Sequence, residues 1–219
     1  MNTSKTLKKE WYVLVILLLP FIASAILWND LPDQVPVHFN IHGEADDYGP
    51  KWMNAIMLPV IGIAVYFLLI FLPAIDPKKR IESTQKPIAA IRIITSVFFV
   101  TIYGIVMAIT LGYQIDMGNY IFIVVGLLFM VLGNYMNSVK PNYFIGIRTP
   151  WTLENPEVWK KTHRLGSKLW IIGGLLFILV PLLFGISETV FITLTLFVIA
   201  ILVGVPVVYS YIMYKNNQT

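Results

Sequence analysis

Six apolar runs, separated by segments whose charges are sorted by sign, constrain this chain more than any other feature. The runs centre on Val13 to Trp28, Met53 to Ile75, Ile93 to Tyr113, Tyr120 to Met136, Leu169 to Ile186 and Val190 to Tyr214. Each is long enough to cross a bilayer as a helix, which takes roughly 17–25 mostly apolar residues. If the connecting segments alternate sides, 15 of the 16 Lys and Arg residues lie on one side and only Lys51 on the other. The positive-inside bias makes the basic side the cytoplasm.

The tally sets an expected topology. Lys5, Lys8 and Lys9 precede the first run, and Lys78, Lys79, Arg80, Lys86 and Arg92 lie between the second and third. Lys140, Arg148, Lys160, Lys161, Arg164 and Lys168 lie between the fourth and fifth, and Lys215 follows the sixth. Opposite them stand Asp30, Asp33, Glu44, Asp46, Asp47, Asp116 and Glu188. The expected architecture is an all-α integral membrane protein of six transmembrane helices with both termini cytoplasmic. An N-terminal two-helix unit, residues 1–75, carries one long outer loop over 29–52. A four-helix unit, 76–219, carries the cytoplasmic loop 138–168, with an interfacial helix before the fifth span. The two are expected to form one compact membrane domain.

With 57% hydrophobic and 13% charged residues, a soluble globular domain is excluded, because its polar residues would not cover its apolar surface. The net charge of +4 does not point to direct nucleic-acid binding, since the basic residues are juxtamembrane and face anionic lipid headgroups. Without cysteine there is no disulfide, thiolate nucleophile or cysteine metal site, and no cofactor motif is present. Ala23-Ser24-Ala25 has the form of a signal-cleavage triplet, but apolarity continues to Trp28, so an uncleaved span is expected.

Within the spans, Arg92 is the charged residue nearest the bilayer and is expected to snorkel to the headgroups. Absence of ionisable groups at mid-depth disfavours an ion-coupled transporter. Gly104, Ala108 and Gly112 on the third span, and Gly126 and Gly133 on the fourth, are expected to let neighbouring helices of the same chain approach closely. Pro20, Pro59, Pro73, Pro181 and Pro206 should kink or terminate helices. Asn134 and Asn137 share a face at the end of the fourth span, placed to hydrogen-bond the following loop.

Two segments carry more information. In the outer loop, Pro32 and Pro36 oppose helix, Val35 to Phe39 favours an extended course, and Gly43 and Gly49 mark turns. His38, His42, Glu44, Asp46 and Asp47 then cluster, yet the prolines oppose the helix that would bring His38 and His42 onto one face. A structured cap is expected rather than a metal site, with Phe39, Tyr48 and Trp52 against the interface. In the cytoplasmic loop, Asn155-Pro156 is a helix start, with Lys160, Arg164 and Lys168 in a basic stripe and Trp159 and His163 on another face. Before it, Gly146-Ile147-Arg148-Thr149-Pro150-Trp151 reads as a shaped turn, with Trp151 and Trp159 expected to hold the loop against the membrane. Gly146 permits unusual backbone angles, Pro150 keeps Thr149 out of helical geometry, and Arg148 offers a planar donor fork for an anion, lipid headgroups or helix-terminal carbonyls.

The run from Gly133-Asn134 through GIRTPWTL and VWKKTHRLG, including Thr162, closely resembles the signature of the SdpI family. These are bacterial membrane proteins associated with immunity to a secreted antimicrobial peptide toxin. The outer LPDQVPVHFNIHGEADDYGPK, with Asn40 in its P-x-x-V-P-x-H-F-N pattern, resembles a small membrane-associated domain of unknown function often found ahead of that signature. The resemblance implies a bacterial cell-membrane protein that gives protection against a peptide toxin, and signalling through a cytoplasmic transcriptional repressor held at the membrane.

Three functions fit the residues, in descending order. The first is an immunity or sensor protein whose acidic outer face meets a cationic peptide. The second is a membrane enzyme acting on lipid or cell-wall precursor headgroups, using Arg148, His163 and Glu157, though no catalytic motif accompanies them. The third is a small-molecule transporter.

Overall fold

The computed structural model describes residues 3–75, 85–185 and 187–217; Lys78, Lys79 and Arg80 of the basic tally lie outside them. The chain is mostly helical. It begins with α1 (Thr3–Lys9) and α2 (Trp11–Leu27), then the strands β1 (Gln34–Phe39) and β2 (Ala45–Pro50). The helices α3 (Leu58–Ile75), α4 (Gln85–Thr110) and α5 (Met117–Met136) follow. A short α6 (Pro150–Glu154) precedes α7 (Pro156–Phe184), α8 (Glu188–Ile199) and α9 (Val205–Asn216). Single π-helical turns, Met53–Met57 and Ala200–Gly204, lead into α3 and α9 just ahead of Pro59 and Pro206. A proline lacks the N–H that would continue the regular ladder, so the preceding turn widens.

Five segments are by themselves long and apolar enough to cross a membrane, and a sixth requires α1 and α2 together, bent by 71°. Between 17% and 33% of each apolar window of the five is buried inside the protein, so their remaining surface needs an apolar solvent. Contacts sort the connections into two ends. The β1–β2 hairpin, the α4–α5 turn and the α7–α8 turn share one end. The start of α2, the segment 137–155 and the end of α9 share the other.

The all-α expectation misses the antiparallel hairpin, in which Val35 faces Gly49 and His38 faces Asp47. Both strands of a two-stranded sheet are edges, so Pro36 sits in β1 without breaking a ladder bond. Irregular register on both sides of His38 bends the strand. Val35 is fully buried, and the carbonyl of Pro36 accepts from Asn54 Nδ2 at 2.9 Å. At the tip, Asn40 Oδ1 accepts from the N–H groups of His42 and Glu44 at 2.8 and 3.1 Å, and Gly43 takes φ +78°. A Cβ at Gly43 would run into the backbone of Gly118, so the hairpin tip is seated directly on the start of α5.

Arg92 does not snorkel. It is 2% exposed and grips Glu10, itself 4% exposed, through Nη2 to Oε1 at 2.5 Å and Nε to Oε2 at 3.0 Å. The fully buried Tyr66 donates its hydroxyl to Glu10 Oε2 at 3.3 Å. Glu10 occupies the bend between α1 and α2, so a carboxylate at the very start of the first span supplies the countercharge that lets Arg92 turn inward.

The glycine expectations divide. Gly126 of α5 and Gly174 of α7 lie backbone to backbone, a Cβ on either meeting the other's carbonyl, and a Cβ at Gly133 would strike Trp170 and Ser167. Side-chain-free crossings of this kind hold α5 against α7. By contrast, Gly104 is exposed with nothing near it, and Gly112 lies just past the end of α4 at φ +90° with nothing near it, so neither glycine seats a neighbouring helix. Around the α5–α7 crossing, Phe122, Phe129 and Phe177 pack with ring centroids 5.2 and 5.5 Å apart, and Phe191 of α8 closes on Phe122 at 5.4 Å. A second cluster, Val13, Leu17, Tyr66 and Ile70, takes Ile93 and Val100 from α4, so apolar packing crosses the 75/76 boundary.

Candidate functional site

The segment from Val139 to Asn155 is wound tightly against α7 and α9. Asn142, 1% exposed, shapes its first half. Its Oδ1 accepts from the N–H groups of Phe144 and Ile145, each at 2.8 Å, while its Nδ2 donates to the carbonyls of Lys140 and Ile145. One side chain thus closes a turn that backbone bonds alone would leave open. Sequence reasoning passed over Asn142; Pro141-Asn142 ahead of aromatic residues is the available turn signal.

The second half is held by His163 and Thr152. The N–H of Ile147 donates to His163 Nε2 at 3.0 Å, and His163 Nδ1 donates to the Trp159 carbonyl at 2.9 Å. An Nε2 that accepts carries no proton, so this arrangement fixes the neutral Nδ1–H tautomer. Gly146 stands over the imidazole at φ +112°, where a Cβ would collide with Nε2. Glycine is required there both for its backbone angle and for the close approach.

Thr149 and Thr152 cap α6 reciprocally. Thr152 N–H donates to Thr149 Oγ1 at 3.2 Å, and Thr149 N–H donates to Thr152 Oγ1 at 2.9 Å. Thr152 Oγ1 also donates to the Ile147 carbonyl at 2.8 Å. Thr149 is extended, as expected of a residue before proline, but Pro150 opens a short helix where only a turn was expected. Thr149 Oγ1 lies 3.0 Å from Ser210 Oγ, Trp151 packs on Tyr211 at 5.1 Å, and Tyr214 donates to Glu154 at 2.9 Å, tying the segment to α9. Asn155 caps α7 by accepting from the N–H groups of Glu157 and Val158.

Two expectations about α7 change. No separate interfacial helix precedes the fifth span: α7 is continuous over 29 residues, about 43 Å at 1.5 Å per residue, against a hydrocarbon thickness of about 30 Å. Its first turns therefore carry the signature beyond the span. Trp159 is not an interface anchor either. It is 2% exposed, stacks on His163 at 4.0 Å and donates Nε1–H to the Val139 carbonyl at 2.8 Å. The helical period placed Trp159 and His163 on one face correctly; the loop, rather than the bilayer, covers that face.

Lys160, Arg164 and Lys168 are exposed, as the basic stripe requires. Arg148 is also exposed and donates Nη1–H to the Tyr143 carbonyl at 2.6 Å, which braces the loop. Thr162 is fully buried and its hydroxyl has no hydrogen-bond partner among the described residues. Asn134 and Asn137 are exposed, and the loop they precede is organised by Asn142 in their place. With both nitrogens engaged and 1% exposure, His163 is poorly placed to shuttle protons for a bound substrate.

At the hairpin end, His38 pairs with Asp46 through Nδ1, exposed to solvent. Lys51 lies 3.5 Å from Asp33 and over the Trp28 ring. Tyr48 and Trp52 are exposed, and Phe39 is half-buried on the wall of an opening that it lines together with residues of α5 and α8. Among the described residues no three His, Asp or Glu side chains converge as a metal site would need.

Comparison with known proteins matches residues 138–210 to the SdpI/YfhL protein family and residues 15–63 to a domain of unknown function, DUF1648. The chain is 29% identical over 213 residues to the protein named Immunity protein SdpI of Bacillus subtilis (strain 168), covering 96% of this chain and 98% of that one. No solved structure matches it. The wound loop, α7, α8 and the first half of α9 coincide with the first of these segments, and over it the chain is similar to the SdpI/YfhL family, with a segment similar to DUF1648 ahead of it.

Proposed function

We propose that this protein is a non-enzymatic immunity protein of the bacterial cell membrane that protects its own cell against a secreted antimicrobial peptide toxin. The observation that carries this reading is the end-to-end match to a protein named for immunity. In it, residues 1–75 and 76–219 act as one membrane body, with the hairpin outside and both termini and the 138–168 loop inside. The wound loop and the basic stripe of α7 form one cytoplasmic surface, suited to anionic headgroups and to holding a transcriptional repressor at the membrane. Expressing the chain in a sensitive host should raise the toxin concentration it survives; no protection against the cognate peptide at confirmed membrane abundance would refute the reading.

The orientation has its own test. Single cysteines replacing Glu44 and Glu154, in a chain with no natural cysteine, should label oppositely with an impermeant thiol reagent in intact cells, Glu44→Cys reacting and Glu154→Cys protected. Equal labelling would overturn it.

Arg148 tests the loop. Its guanidinium braces Tyr143 and still has donors facing outward, a combination that the point charge of Lys does not reproduce. Losing a charge-assisted hydrogen bond costs about 1.5–3 kcal/mol, so Arg148→Lys should forfeit about tenfold in tolerated toxin, nearly as much as Arg148→Ala. Lys160→Ala should be mild, because Lys161, Arg164 and Lys168 still supply charge. Full protection by Arg148→Ala would reduce the loop to a topological element.

A further inference from the structure

A cavity of about 640 Å3 opens at the hairpin end, between β1, the first turns of α5 and the first turn of α8. That is within the range of about 300–1,000 Å3 typical of ligand pockets. Its walls are mainly apolar, formed by Val37, Phe39, Ile41, Met117, Ile121 and Phe191. Its polar edge is the hairpin: His38 and Asp46 line it as a pair, and Asn40, also lining it, reaches Glu44 Oε2 at 3.3 Å.

The charge around this opening is one-sided. Asp116 directly precedes Met117, and Glu188 stands three residues before Phe191, on the same helix face. The N-terminal ends of α5 and α8 offset part of the charge of these two acids. Glu44, Asp46 and Asp47 add three further acids on the hairpin. The one lysine of this end, Lys51, is engaged by Asp33 and Trp28. An apolar pocket with an acidic edge repels anionic phospholipid headgroups and attracts a peptide that combines apolar side chains with positive charge.

We propose that this cavity, resting on the immunity reading above, is the docking site for an apolar, cationic segment of the toxin peptide. The apolar side chains enter between β1, α5 and α8, and the positive charge faces Asp46 and Glu44. Ile121→Trp fills the cavity from α5 and Phe191→Trp fills it from α8. Asp46→Lys reverses the charge at its edge, while Asp47→Lys makes the same change one residue along the strand, outside the cavity lining.

The direct test uses the full chain in nanodiscs of zwitterionic lipid and a fluorescein-labelled apolar peptide ending in two lysines, with a version ending in two glutamates as control. The parent should bind the lysine peptide about tenfold more tightly than protein-free nanodiscs do and show no such gain for the glutamate peptide. Either tryptophan variant and Asp46→Lys should abolish the gain; Asp47→Lys should keep most of it. Equal losses at Asp46 and Asp47 would mean attraction by bulk charge and overturn the site. So would unchanged binding in both tryptophan variants, or equal binding of the glutamate peptide by the parent. Protection assays separate the two readings. If the chain protects a sensitive host and the cavity variants protect equally at matched abundance, the docking site fails and immunity stands. If the peptide results hold but the parent protects no host, immunity fails and the site stands.

Discussion

Arg92→Ala, with Glu10 left in place, is expected to lower the unfolding free energy by about 3–5 kcal/mol, the usual loss when one member of a buried ion pair is removed. Glu10 is 4% exposed and would keep only the hydroxyl of Tyr66 as a partner. The single Glu10→Ala variant should be comparably damaging, since it strands a buried guanidinium. Replacing both, Glu10→Leu with Arg92→Met, should recover most of the stability, because apolar residues of similar volume avoid the desolvation that the pair must overcome. Unfolding in mixed detergent micelles, followed by circular dichroism, measures all four proteins. A double variant no more stable than either single one would show that the pair contributes through geometry that apolar packing does not replace.

The α5–α7 crossing should give the other large effect. A Cβ at Gly126 would lie 2.6 Å from the Gly174 carbonyl oxygen, and backbone on that side has no rotamer with which to yield. Gly126→Val is expected to cost about 3 kcal/mol, the upper end of the usual overpacking range, because the helices must separate along the Phe122–Phe129–Phe177 packing. Gly104→Ala is the matched control: nothing lies near its added methyl, and removing a helix-interior glycine should be neutral or stabilising by up to about 1 kcal/mol. Both are read in the same micelle assay, and a Gly126→Val protein as stable as the parent would contradict the crossing.

The contrast between those glycines shows what the sequence carried. Apolar run length revealed the spans because lipid imposes a length and leaves the backbone few alternatives. Capping chemistry is local, so Asn155-Pro156 could be read as the start of α7 from two residues. The period of 3.6 put Trp159 with His163, and Gly104 with Ala108, on shared faces, but it does not say what covers a face. A loop covers the first pair, and no helix packs on Gly104. Glu10 and Arg92 are 82 residues apart, so the depth of Arg92 could be read from the sequence but its partner could not. The outer loop was legible as far as β1; β2, with its Ala-Asp-Asp-Tyr-Gly-Pro sequence, has the composition of a turn and becomes a strand only by pairing with β1.

The seating of Gly43 on Gly118 also bears on how the protein is made. The hairpin tip leaves the ribosome 75 residues before the backbone it rests on, which at about 5–20 residues per second is a delay of about 4–15 s. An isolated two-stranded hairpin is marginally stable in water. During that interval it is held by its own short turn and by Val35 and Pro36 against the segment leading into α3, and its tip has no support until the fourth long apolar helix is in place. Assembly at this end therefore finishes out of order with synthesis, and the segment made early is among the last to settle.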